Sequence, residues 1–156
     1  IDIEFHNNTI VQGFLSFDVY NHGRNHMELY GTKGSIILPD PNMFGGPVSV
    51  SKELGSEWID HSVEKMLLGK TNIFSQSSRS NEAPEQSNYR GIGLADMLDA
   101  IENQKLHRCN GELALHVLDI IDSTINAALS DDKQNLRTTC ERPKRSLEDE
   151  IKKLMK

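Results

Sequence analysis

From Gly91 to Leu129 the chain carries two apolar stripes at helical spacing with a short polar hinge between them. Leu94, Met97, Leu98 and Ile101 recur at i, i+3, i+4 and i+7, which places them on one face of a helix. Ala114, Val117, Leu118, Ile121, Ile125 and Ala128 repeat the pattern over a longer run. Leu115 and Ile120 widen this second stripe, so the spacing predicts a helix buried on much of its circumference, with Leu118 in the core. Asn110 suits the N-cap, and Glu112 suits the positive end of the helix dipole. A helix pair this apolar needs a large partner surface, and the first third of the chain has the pattern of one.

From Ile1 to about Glu53 the period is two. Ile1, Ile3 and Phe5 alternate with Asp2, Glu4 and His6, and a strand already running at the first residue leads us to expect a piece of a longer protein. After the Asn7-Asn8-Thr9 turn, Val11, Leu15, Phe17 and Val19 fall on one face of a long strand, with Ile10, Phe14 and Tyr20 on the other. Met27 to Tyr30, Ser35 to Leu38, Val48 to Val50 and Trp58 to Val63 read as further strands. Between two of them, the glycines of Gly31-Thr32-Lys33-Gly34 permit a tight turn. Short turns between closely spaced strands imply antiparallel pairing and not βαβ units. Residues 72–88, rich in Ser, Asn, Gln and Glu, read as a mobile loop. Leu136 to Cys140 reads as a returning edge strand, and Ser146 to Asp149 as the start of a last helix. The residues lead us to expect one α+β domain spanning 1–156, with an antiparallel sheet or meander as the surface that the helix pair covers.

The 156 residues suffice for one domain with a core. A net charge of −6 leaves no basic stripe to neutralise phosphates, which argues against nucleic-acid binding. No apolar run is read as a membrane span. Cys109 and Cys140 are too few for a disulfide scaffold and lack metal-ligand spacing, so we expect reduced thiols and a cytoplasmic protein. His22 and His26 with Asp18 match no strong metal pattern, and no metal site is expected.

Two ordered stretches resemble the C-terminal domain of the Gfo/Idh/MocA oxidoreductases. One runs from Glu28-Leu29-Tyr30-Gly31-Thr32-Lys33-Gly34-Ser35-Ile36 into Leu38-Pro39-Asp40-Pro41-Asn42. The other runs from Arg90-Gly91-Ile92-Gly93-Leu94-Ala95-Asp96-Met97 through His107-Arg108 into Gly111-Glu112-Leu113-Ala114-Leu115-His116, and Arg142-Pro143 follows. The resemblance implies a domain that shapes the substrate pocket of an NAD- or NADP-dependent enzyme acting on a sugar, polyol or related hydroxyl compound. It also implies an open, predominantly antiparallel sheet with helices packed on one face, a sheet that packs against a partner subunit as a homodimer or higher homo-oligomer. The family's N-terminal Rossmann domain has no counterpart here: Gly91-Ile92-Gly93 lacks a third glycine and follows no βαβ strand. No Glu-Lys-Pro triplet occurs, and the acid/base stretch is absent too. We therefore expect no catalytic and no cofactor-binding residue in this chain, and no turnover by it alone. The alternative is a stand-alone dimerisation module.

Three residues are candidates for the substrate side: Arg90 at the end of the polar loop, and His107 and Arg108 between the helices. Arg in such a place can hold a carboxylate or hydroxyl group, while helix-end charge and local hydrogen bonds are the structural alternative. His116 is expected to be a structural histidine bonded within the fold, and Asp96 and Asp99 to lie on a solvated helix face.

Overall fold

The computed structural model describes residues 1–42, 44–62, 66–69, 89–146 and 148–155. The expected mobile loop 72–88 lies outside the described residues. The fold is α+β, with two antiparallel sheets and three α-helices among the described residues. The chain gathers into two compact units, residues 1–22 with 106–144 and residues 23–105 with 145–156.

The first unit opens with β1 (Asp2–Glu4) and β2 (Ile10–Gln12), paired as Asp2↔Gln12, Ile3↔Val11 and Glu4↔Ile10. Asn8 turns the chain with φ +64°, and the Asn7 side chain accepts from the Thr9 N–H at 3.1 Å. The long strand expected through Tyr20 stops at Gln12. Its ladder ends where its partner does, with the Gly13 N–H donating to the Ile1 carbonyl at 2.8 Å, and residues 14–26 form no strand. Phe14, Leu15, Phe17 and Tyr20 are therefore exposed outside any sheet, and the expected two-faced central strand is not formed.

The long helix of this unit runs Gly111–Ser130. Asn110 caps it as expected, its side-chain oxygen accepting from the Leu113 N–H at 3.0 Å. Asp131 ends it in the left-handed region, φ +58°, with its N–H on the Ala127 carbonyl. Its facing is the reverse of the expectation. Asp119 is buried, and Leu113, His116, Ile120, Ser123, Thr124 and Ala127 are half-buried on that same side. Leu115, Leu118, Ile121, Ile125 and Leu129 point to solvent, Leu118 with 59% of its surface exposed. Leu118 is thus not a core residue. By length and composition alone this helix is apolar enough to cross a membrane. Near its middle Asp119 and Asp122 are both bonded to Arg137.

Residues 136–140 form no edge strand. The Arg137 and Thr138 N–H groups, which a ladder would use, donate to the Asp119 carboxylate at 2.7 and 2.8 Å. A side chain has taken the place of a neighbouring strand.

The second unit holds the four-stranded sheet. Its strands are β3 (Met27–Gly31), β4 (Gly34–Leu38), β5 (Val48–Ser51) and β6 (Ile59–His61), in that spatial order. The register aligns Leu29, Ile36, Val50 and Ile59 in one cross-strand row, and Glu28, Ile37, Ser49 and Asp60 in the next. Alternation then sorts the faces. Met27, Leu29, Ile36, Leu38, Val48, Val50 and Ile59 share one face with His61. The other carries Glu28, Tyr30, Ser35, Ser49, Ser51 and Asp60, with Ile37 as its one large apolar residue. On that polar face the Tyr30 hydroxyl donates to Glu28 at 2.9 Å and the Ser49 hydroxyl to Asp60 at 2.5 Å.

The β3–β4 turn depends on Gly34, which has φ +139°. A Cβ there would lie 2.6 Å from the Ser51 carbonyl oxygen on β5. Gly34→Ala combines a strained backbone with a clash against main chain, and it is expected to cost about 2–4 kcal/mol in denaturant unfolding. A cost under about 0.5 kcal/mol, typical of a neutral surface site, would contradict the turn geometry.

The helices of this unit are α1 (Ile92–Glu102) and α3 (Glu148–Leu154); Gly111–Ser130 is then α2. α3 packs against α1 and against a 3-10 turn at Leu67–Gly69. In α1 the buried residues are Asp96 and Ala100; of the expected stripe Met97 is half-buried, while Leu94, Leu98 and Ile101 are exposed. Asp99 is no solvated residue. It accepts from Lys105 at 2.5 Å and from Lys153 of α3 at 2.7 Å, and these two ammonium groups hold its carboxyl down to about 2. It ties the last helix to the first.

Candidate functional site

The densest polar arrangement in the first unit is built on Asp119. An aspartate amid Val117-Leu118 and Ile120-Ile121 is a costly residue in an apolar run unless its carboxylate is satisfied. Here it is saturated. Oδ2 accepts from the Arg137 N–H at 2.7 Å, the Thr138 N–H at 2.8 Å and the Thr138 hydroxyl at 2.8 Å. Oδ1 accepts from Arg137 Nε at 3.3 Å, and Arg137 Nη2 reaches Asp122 at 3.0 Å. The Thr138 hydroxyl, the two backbone N–H groups and the guanidinium outweigh desolvation and hold the Asp119 carboxyl down to about 2. His116, one turn earlier on α2, places Nδ1 3.0 Å from Thr138 Oγ1. His116 is hydrogen-bonded within the fold, as its sequence position suggests.

The three sequence candidates are distributed over both units. Arg108 Nε donates to the Lys144 carbonyl at 3.2 Å, and His107 beside it is half-buried in the turn before α2. In the other unit Arg90 Nη2 donates to the Asn42 carbonyl at 3.0 Å and to the Asn42 side-chain oxygen at 3.3 Å. Tyr89 meets Phe44 edge to face, ring centres 5.8 Å apart. The Pro-Asp-Pro-Asn turn is thereby held to the entry of α1. Arg90 thus has a structural task whatever else it binds.

A concavity of about 430 Å³ lies at the β3–β4 turn, lined by Gly31 to Ile36 with Val50 and Lys52. Among the described residues no cluster of three or more His, Cys, Asp or Glu side chains could hold a metal ion.

Asp119 and Thr138 were not singled out from the sequence. The signal for Asp119 was present as a charge inside an apolar helix run. Its partners lie 18 and 19 residues further on, in a segment whose own pattern reads as a strand. Comparison with protein-family models, with curated proteins and with solved structures finds no match.

Proposed function

We propose that this chain is the substrate-binding and oligomerisation domain of an NAD- or NADP-dependent oxidoreductase acting on a sugar, polyol or related hydroxyl compound. The observation that carries the assembly part is the apolar face of the four-stranded sheet. Leu29 and Ile59, at the two ends of its central row, expose 49% and 63% of their surface. A sheet face meant for water alternates to polar residues, as the opposite face here does apart from Ile37. An exposed apolar layer of this kind marks an interface. The homodimer we infer packs two such faces about 10 Å apart and buries more than about 1,000 Å².

The enzymatic part rests on the sequence resemblance to the Gfo/Idh/MocA C-terminal domain. The antiparallel hairpin Met27–Leu38, turning at Thr32-Lys33, agrees with the largely antiparallel sheet that the resemblance implies. In this reading a separate Rossmann domain supplies the nucleotide and the acid/base groups, and Arg90, His107 and Arg108 are this chain's candidates for contact with substrate. Free Cys109 and Cys140 suit a reducing, cytoplasmic setting. The same apolar face also serves the second reading, a stand-alone dimerisation module.

The chain alone is expected to bind neither NADH nor NADPH more tightly than about millimolar in calorimetry. A micromolar dissociation constant for either would place a nucleotide site within these residues and overturn the division of labour.

A further inference from the structure

The hydrogen bonds around Asp119 determine where a proton sits on His116. An ionised carboxylate can only accept, and a threonine hydroxyl has one proton to give. The Thr138 proton goes to Asp119 Oδ2, 2.8 Å away. Thr138 Oγ1 then has only lone pairs to offer His116 Nδ1 at 3.0 Å, so the proton in that contact belongs to Nδ1. In the neutral ring Nε2 carries no hydrogen. No buried side-chain nitrogen or oxygen among the described residues lacks a partner, and His116 Nε2 has none among them, so Nε2 reaches solvent. A carboxylate or carbonyl behind one ring nitrogen is the usual means of presenting the other nitrogen of a histidine in a fixed state.

We propose that the Asp119–Thr138–His116 chain presets His116 as a hydrogen-bond acceptor whose Nε2 takes the O–H of a polyhydroxyl compound. The ligand class rests on the function proposed above, and two local observations favour it. Glu112 lies one turn before His116 on the same side of α2 and has no hydrogen-bond or ion-pair partner among the described residues, so two acceptors are spaced for two hydroxyl donors. Asp119 and Asp122 flank the same helix surface, and their one cationic partner, Arg137, is already engaged by both. That surface disfavours a carboxylate or phosphate ligand. In this arrangement Thr138 and Asp119 are positioning residues, acting through His116.

Long-range ¹H–¹⁵N spectra of the ¹⁵N-labelled chain test this at about pH 8.5, above the ordinary titration of imidazole. His116→Gln assigns the signals. The expected result is a single tautomer with Nδ1 protonated. Thr138→Ser keeps it, and Thr138→Val gives a mixture of both tautomers while the circular dichroism stays native. A wild-type ring protonated on Nε2 would overturn the relay. Sorbitol is the ligand probe: it should shift the Nε2 resonance saturably, with affinity falling several-fold in Glu112→Gln. An Nε2 resonance unmoved at about 100 mM sorbitol would overturn the acceptor site. Neither arm involves nucleotide or the sheet face, so failure here is distinct from failure of the oxidoreductase reading.

Discussion

Asp119→Ala is expected to release residues 136–140 from α2. The variant removes the acceptor of two backbone N–H groups, one hydroxyl and one guanidinium at once. Hydrogen bonds to a charged acceptor are the stronger kind, and no other carboxylate is placed to take over the two backbone N–H groups. Amide exchange at Arg137 and Thr138 should accelerate by about two orders of magnitude or more, with β1–β2 and the four-stranded sheet little changed. Acid should reproduce the effect in the unmodified chain. The Asp119 carboxyl is held at about 2, below its ordinary 3.8, so its ionised form is the one the fold favours. That stabilisation is complete above the unfolded value and is lost as the pH falls through about 2. Protection at both amides should therefore persist at about pH 4 and vanish below about pH 2. Asp99, also held at about 2, shares this window, so α3 should loosen from α1 over the same range. Unchanged exchange in Asp119→Ala at neutral pH would mean the return segment is held by something other than this carboxylate.

Leu29→Glu is expected to turn a dimer into a monomer. Leu29 stands half-exposed at one end of the row Leu29–Ile36–Val50–Ile59, so the isolated fold tolerates a polar residue there. Between two packed sheets the same carboxylate would be neither solvated nor paired. At tens of micromolar the unmodified chain should sediment as a dimer and the variant as a monomer, a loss of about 100-fold or more in association, both with the same far-ultraviolet dichroism. An unmodified chain that sediments as a monomer would contradict sheet-mediated assembly.

The sheet was legible because alternation and turn chemistry are local. Glycines at 31 and 34 bracket a hairpin whose register follows from two matched runs. The Asn110 cap was legible for the same reason. The facing of the helices was not. Periodicity shows which side of α2 is apolar, but the side that is covered depends on Asp119 meeting Arg137 and Thr138, a contact between residues of opposite apparent character. Asp99 was misread likewise, since Lys153 lies 54 residues away. The strand through Tyr20 was misread because alternation continues past the point at which its partner ends, and a strand without a partner has no ladder. Arg90 was legible as a candidate; its bond to Asn42, 48 residues earlier, was not.

The coding sequence upstream of Ile1 tests the central claim most directly. If this chain is the substrate and assembly half of a nicotinamide-dependent enzyme, the preceding residues encode a strand, a glycine-rich turn and a helix of a βαβ unit. An acidic or basic residue to read the ribose should follow about 20 positions on. An upstream sequence with no such fingerprint would contradict the account and leave the dimerisation module as the function of this fold.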